Sequence, residues 1–390
     1  MNDASGKQDA DDVVEAIMRE GGQAIAVQVD IANIAVLHEC MEEPMSVKTM
    51  KQWRLTAPGR QNLELVNVPI PTAKAGEVLV KVNAVSLNYR DKMAIEDGAG
   101  LPSALPIIPA SDLAGEVIAV GEGVQKFHVG QRVISNFEAE WLDGRPMGTA
   151  RNPPYRTLGG ALPGVLTEYV AFPQDWFVSA PDSLDDTLAS TLPVAGLTAW
   201  SALIDNGRLH AGQTVLVQGT GGVSLFALQI AVAHGATVIV TSSSDEKLER
   251  AKQLGARHAI NRMNEDWVEA VYRITHDRGV DHVLEMAGGA NLGRSVQAVA
   301  VQGRISVIGV FEGFAFSGPT GPLLRKQVSL QGIGVGHRRG LEALVRAIDS
   351  MGIKPVVDSR YGFGDLHAAL DRLGCGPFGK VVIEFGSSSA

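Results

Sequence analysis

Cysteine is almost missing from this chain: 390 residues hold two, Cys40 and Cys375. That excludes a disulfide framework and a structural zinc site built from four cysteines. No apolar run reaches the roughly 18 residues of a membrane-spanning helix. A basic excess is missing too. The net charge is −9, and residues 1–46 carry most of it, with ten Asp and Glu against two Lys and Arg. The remaining chain is nearly neutral and offers no nucleic-acid surface. The acidic start (MNDASGKQDADDVVEAIMRE) is unlike a signal or transit peptide. These absences predict a soluble cytoplasmic protein with neither nucleic acid nor membrane as a partner.

The hydrophobic share is 45%, enough for the cores of two or three domains. Glycine is abundant, with 44 residues. It falls in short clusters between β-rich runs, the punctuation of an α/β protein with many tight turns.

Residues 1–46 differ from the rest. Val13, Val14, Ile17 and Met18 recur at helical spacing, Gly21-Gly22 stops the helix, and AIAVQVD (24–30) reads as a buried strand. The piece resembles the second helix and third strand of a short-chain dehydrogenase. The phosphate-binding glycines before it and the Tyr-x-x-x-Lys pair after it are missing, so it cannot bind a nucleotide alone. An ordinary helix-plus-strand extension is the alternative. Met45 and Met50 follow, either of which can start a complete enzyme. The expectation is a peripheral remnant or a misplaced start.

From Lys51 to about Phe172, short strands separated by Gly, Pro and Asp predominate: MKQWRLT, NLELVNVPI, EVLVKVNAVSL, GEVIAVG, QRVISNF and TEYVAF. Asn88-Tyr89-Arg90-Asp91 opens a short helical stretch. Farther on, QTVLVQGTGGV (213–223) joins a buried strand to a glycine turn, and SLFALQIAVAHG (224–235) continues as a helix. This is the context a dinucleotide fingerprint requires. Gly219, Thr220, Gly221, Gly222 and Val223 let backbone N–H groups approach a pyrophosphate at a helix N-terminus. The spacing is Gly-x-Gly-x-x-Ser, with Ser224 at the third position.

The next strand, ATVIVTSSS (236–244), ends in Ser242, Ser243 and Ser244, with Lys247 one turn on. A carboxylate there would accept the ribose hydroxyls of NAD and repel a 2′-phosphate. Hydroxyls and a lysine accept the phosphate, so NADPH is the expected cofactor. Asp245 and Glu246 then fall to capping the following helix. Lys247 reads equally as a plain helix-surface lysine.

The stretches LNYRD…LAGEVIAVGEGVQKFHVGQRV, TLPVAGLTAWSAL (191–203) and VLVQGTGGVSLFALQIA (215–231) resemble the medium-chain dehydrogenases/reductases, in the right order, from about residue 48 to the end. The resemblance implies an α/β fold: a Rossmann-type doubly wound parallel sheet plus a GroES-like β-rich catalytic domain. The implied division is 47–172 with 338–390 as the catalytic domain and 173–337 as the Rossmann domain. It further implies that Thr198, Asn261, Ala287, Gly288, Gly309, Val310, Phe311 and Lys380 lie near the cofactor, and that the strand VSLQGIGVG (328–336) pairs across a homodimer.

This sequence departs from the zinc branch. Asn88 stands where that branch has Cys, and Ser111-Asp112-Leu113 or its neighbours where it has Gly-His-Glu. No metal is therefore expected; a mixed site of Asp91, Asp112 or His128 is the alternative. The resemblance is to the zinc-independent, quinone oxidoreductase-like enzymes. Without a strong Lewis acid, a conjugated acceptor is favoured, because it spreads the developing charge. The expected reaction is hydride transfer to a quinone or an α,β-unsaturated carbonyl. Asn88 would donate to the substrate oxygen, Tyr89 would supply a proton, and Arg90 would offer positive charge. Asp91 would anchor the loop or the ribose. The loop 141–160 would shape the pocket. An alcohol or aldehyde dehydrogenase of the zinc type, an enoyl-thioester reductase, and a non-catalytic NADPH-binding protein are the competing readings.

Overall fold

The computed structural model describes residues 48–101, 105–153 and 155–386. The reading of residues 1–46 lies outside them.

The strand-rich stretch builds a two-stranded antiparallel sheet, β1 (Thr49–Leu55) with β2 (Leu63–Pro69), and a larger sheet organised on β3 (Glu77–Leu87). Its further strands are β4 (Asp112–Val120), β5 (Arg132–Ser135), β6 (Tyr169–Pro173), β7 (Phe177–Ser179), β14 (Val357–Gly362) and β15 (Lys380–Glu384). Eleven residues of β3 are long enough to pair with β4 along one edge, and with β6 and then β15 along the other. Inward apolar residues such as Val80, Val82, Val85 and Leu113 make one core.

The second large sheet has six parallel strands in the order β10-β9-β8-β11-β12-β13. These are β8 (Thr214–Gln218), β9 (Thr237–Ser242), β10 (His258–Asn261), β11 (Val280–Glu285), β12 (Val299–Val307) and β13 (Ser329–Gly332). Numbered within the sheet this is 3-2-1-4-5-6, the doubly wound dinucleotide-binding order. All of β8 is buried, as its unbroken apolar run predicts. The strand order reverses between β8 and β11, which run parallel, so a crevice opens beyond their carboxyl ends.

Sheet membership departs from the expected boundary at 172. The three residues of β7 belong to the antiparallel sheet, pairing with β5; a strand so short leaves no periodic signal. At the other crossing, α5 (Arg338–Met351) buries Leu341, Leu344 and Ile348 in the core shared with the parallel sheet. The chain rejoins the antiparallel sheet at Val357 rather than at 338.

Candidate active site

Antiparallel register explains why residues far apart in sequence meet. Ser86 near the end of β3 lies opposite Asp112 at the start of β4, and Leu87 lies opposite Val381 in β15. The residue after β3, the first of β4 and the first of β15 therefore converge: Asn88, Asp112 and Lys380. All three are buried. The Lys380 ammonium donates to Leu87 O at 2.7 Å and to Asn88 Oδ1 at 2.5 Å. Asp112 Oδ1 accepts from Ser111 Oγ at 2.6 Å, and its Oδ2 from the Val194 N–H at 3.1 Å. Asn88 Nδ2 is buried and makes no hydrogen bond of ordinary geometry among the described residues, though the Asn88 side chain lies near enough to the Asp112 carboxyl to favour its charged form. A buried donor left in that state costs about 1–3 kcal/mol.

Burial and charge shape the cluster. Burial raises the Asp112 carboxyl to about 6, against the opposing pull of the Lys380 ammonium. Burial also raises Asp91, here against the Arg90 guanidinium. It lowers the Lys380 ammonium, which the Asp112 and Asp91 carboxylates favour. The cluster is thus one lysine amine beside two carboxyls, all buried.

Asn88 precedes α1 (Tyr89–Asp97), and Asp91 Oδ2 accepts the Asn88 N–H at 2.8 Å. Asp91 therefore clamps the helix start. Arg90 is also engaged elsewhere. It donates to Leu158 O at 3.1 Å, pairs with Asp91 at 3.2 Å, and lies over the Phe137 ring at 5.3 Å. Arg90, expected to offer positive charge to an enolate, here holds the 157–159 loop. Tyr89 is half-exposed and meets Phe311 edge-to-face at 4.8 Å. The two rings join the antiparallel half to the loop after β12.

The glycine turn follows β8. Gly219 has φ +76°, a conformation that favours glycine, and a Cβ at Gly219 or Gly221 would meet nothing within 4 Å. That open space lies at the N-terminus of α3 (Gly222–Ala233), which no side chain caps. The turn therefore fits a pyrophosphate. Gly222 differs: a Cβ there would lie 2.5 Å from Lys380 Cδ. The lysine stem thus lies against the turn, while its ammonium is turned to Asn88. The Gly379 N–H donates to Thr220 O at 3.1 Å, tying β15 to the same turn. Lys380 was expected among the cofactor ligands; its ammonium is held instead by Leu87 and Asn88.

Around the crevice, Thr198 and Thr220 are buried and Val223 is half-buried. Thr198 sits in α2 (Leu197–Trp200), a normal turn between widened, π-type turns at Leu192–Gly196 and Ser201–Asp205. Such turns recur at functional sites. Ala287 and Gly288 N–H groups donate to Glu285 Oε1 at 2.9 and 3.1 Å. Gln218 Nε2 donates to Glu285 Oε2 at 3.1 Å and Asn291 Nδ2 to both oxygens. Glu285 is a structural carboxylate that fixes the loop at the switch point. Gly309 passes so close to Met286 O that a Cβ would lie 1.8 Å from it, while Val310 and Phe311 are exposed beyond.

At the end of β9, Ser242 is buried, Ser243 exposed and Ser244 half-buried. Ser244 Oγ caps α4 (Asp245–Gln253) by accepting the Lys247 N–H at 3.4 Å. Lys247 Nζ donates to Gly376 O at 2.5 Å, so it bridges to the other half of the molecule. Asn261 Nδ2 donates to Asp245 Oδ1 at 2.7 Å. The sequence reading missed Arg262. Its N–H donates to Ser242 O at 3.0 Å, and its exposed side chain forms no ion pair among the described residues. Its signal was available: a basic residue directly after the third strand of a nucleotide-binding half.

A cavity of about 470 Å³ lies nearby, lined by Glu138, Trp141, Tyr155, Ser201, Asp205 and His337. Trp141 and Tyr155 belong to the loop expected to shape the pocket. Burial raises the Glu138 carboxyl to about 7.

Parallel sheet, glycine turn and adjoining antiparallel sheet together define an oxidoreductase of the nicotinamide-dinucleotide class. The chain matches the family patterns described as "Alcohol dehydrogenase GroES-like domain" over residues 74–182 and "Zinc-binding dehydrogenase" over residues 222–350. It is 40% identical to a zinc-type alcohol dehydrogenase-like protein of Schizosaccharomyces pombe over 320 residues, 79% of this chain and 91% of the relative. It is 27% identical to a quinone oxidoreductase of Rattus norvegicus over 326 residues, 81% of this chain and 92% of the relative. A crystal structure of a putative alcohol dehydrogenase from Sinorhizobium meliloti superposes with a TM-score of 0.85 at 60% identity, covering 87% of this chain and all of that one. This chain belongs to the medium-chain dehydrogenase/reductase family.

The zinc in one family description can be tested against the residues present. A catalytic zinc takes three Cys, His or acid ligands around an open position. The cluster offers an amide, a hydroxyl, one carboxylate at its centre, and an ammonium that already carries the positive charge. His128 is exposed on a turn, with its Nδ1 facing Val129 O. Among the described residues no three His, Cys, Asp or Glu side chains come together as ligands. This donor set does not fit zinc.

Proposed function

We propose that the protein is an NADPH-dependent oxidoreductase that works without zinc and reduces a quinone or an α,β-unsaturated carbonyl. The observation that carries this reading is the buried Asn88–Asp112–Lys380 cluster, which gathers an amide, a carboxyl and a lysine amine rather than a set of metal ligands. A bound nicotinamide dinucleotide supplies the hydride. The Gly219–Gly222 turn and the first N–H groups of α3 hold its pyrophosphate. Ser243 and Arg262 receive the 2′-phosphate, since no carboxylate ends β9. Thr198 and the loops after β11 and β12 border the nicotinamide.

Asn88 Nδ2, which makes no hydrogen bond of ordinary geometry in the protein, donates to the acceptor oxygen. A conjugated acceptor suits so mild an electrophile, because its charge is delocalised as the hydride arrives. Tyr89, half-exposed beside Asn88, passes the proton to the reduced product directly or through water. The exposed edge of β13 supports a homodimer formed by strand pairing. The test is cofactor oxidation with a naphthoquinone and with cyclohexenone, each with NADPH and with NADH. NADPH-preferring turnover of either acceptor supports the reading. Turnover of simple aldehydes alone, or with NADH alone, overturns it.

A further inference from the structure

We propose that Lys380 and Asn88 act as a coupled electrophile, the lysine ammonium polarising the asparagine amide that faces the acceptor oxygen. This rests on the metal-free reading above.

The argument starts from the two ends of one side-chain amide. Asn88 Oδ1 accepts from the Lys380 ammonium at 2.5 Å, so the orientation of the amide is set by a charge. Nδ2 is buried and makes no hydrogen bond of ordinary geometry among the described residues; the Asn88 side chain lies near enough to the Asp112 carboxyl to favour its charged form, and the second amide hydrogen is left for an acceptor. An ammonium at the oxygen end draws electron density from the nitrogen, so the N–H groups at the far end become stronger donors. Burial of both side chains preserves that effect, because the local dielectric is lower than that of water. Lys380 has little freedom to do otherwise. Its stem lies against Gly222, and Leu87 O takes a second ammonium hydrogen at 2.7 Å. Burial works against its charged form, and the nearby Asp112 and Asp91 carboxyls oppose that loss. During reduction the acceptor carbon gains a hydride, the π pair moves to the acceptor oxygen, and that oxyanion meets Asn88 Nδ2. Lys380 touches no reacting atom; it is a positioning residue that acts through Asn88.

The variants are Asn88→Ala, Lys380→Met and the double substitution, with Lys380→Met/Asp112→Asn as a partner that leaves no carboxylate unpaired if Lys380→Met alone does not fold. Steady-state rates are read with NADPH and either cyclohexenone or a naphthoquinone, and NADPH affinity is read by fluorescence. Each single variant is expected to lower kcat on cyclohexenone about 100-fold, the size of a lost oxyanion donor. The loss on the more activated naphthoquinone is smaller, and NADPH affinity stays within threefold. The double variant is no slower than Asn88→Ala alone. Additive losses, or equal losses on both acceptors, would overturn the coupling and leave Lys380 a packing residue. The wild-type enzyme is assayed in parallel with a chelator and with added zinc. Activity that needs zinc defeats the metal-free reading itself; chelator-resistant activity with an unaffected Lys380→Met variant defeats only the coupling.

Discussion

The glycine turn after β8 and the Asn88 cluster face the same crevice but are made differently. The turn is built from consecutive residues, and its function lies in backbone shape: Gly219 at positive φ and open space above Gly219 and Gly221. The cluster is built from side chains up to 292 residues apart, brought together by strand register. A local device tolerates change in the rest of the molecule, whereas a device assembled by register depends on three strands keeping their alignment. The two meet at one point, Gly222 against the Lys380 stem.

The largest expected effect falls on the local device. Gly221→Asp puts a carboxylate into the open space over the turn, where nothing in the protein obstructs it. NADPH affinity should fall at least 100-fold by fluorescence titration while the thermal midpoint stays put; a matching loss of stability would mean the space is structural. At the meeting point, Gly222→Ala should push on Lys380 Cδ and lower kcat on cyclohexenone about tenfold, with a smaller change in NADPH affinity. An effect confined to NADPH affinity would separate the two devices. On the adenine side, Arg262→Ser should weaken NADPH about tenfold, or 1.4 kcal/mol, and leave NADH unchanged. Equal weakening of both would remove Arg262 from the 2′-phosphate.

The last prediction concerns stability rather than binding or rate. The folded-state pKa of Glu138, about 7, exceeds its ordinary 4.5. The folded state therefore binds the proton more tightly, and stability falls as pH rises from about 4.5 to about 7, then levels off. Glu138→Gln removes that fall. The variant should match the wild type near pH 4.5 and exceed it by about 2 kcal/mol at pH 8 in urea unfolding. Equal stability at both pH values would mean the carboxylate has a partner in solution.

The same contrast explains how much the sequence reveals. The parallel strands, the glycine turn and the helix after Asn88 are legible because apolar runs and turn residues act over a few neighbours. The serine-rich end of β9 is legible for the same reason. The three-residue β7 is too short to show a period, so the boundary fell at 172. The commitments of Arg90 to Leu158 and of Lys380 to Asn88 are long-range, and one sequence does not encode which distant carbonyl a cation will find. Asn88 could be singled out from its own motif, but its lysine partner emerges only when β15 pairs with β3. Arg262 is legible in the same local way, as a basic residue directly after β10.

The central claim is that this site runs on an ammonium and an amide rather than on a metal. The most direct test is the rate of NADPH oxidation with cyclohexenone by chelator-treated protein whose metal content has been measured. The account predicts full activity with metal far below one equivalent. Activity that disappears with the metal and returns with zinc would contradict it.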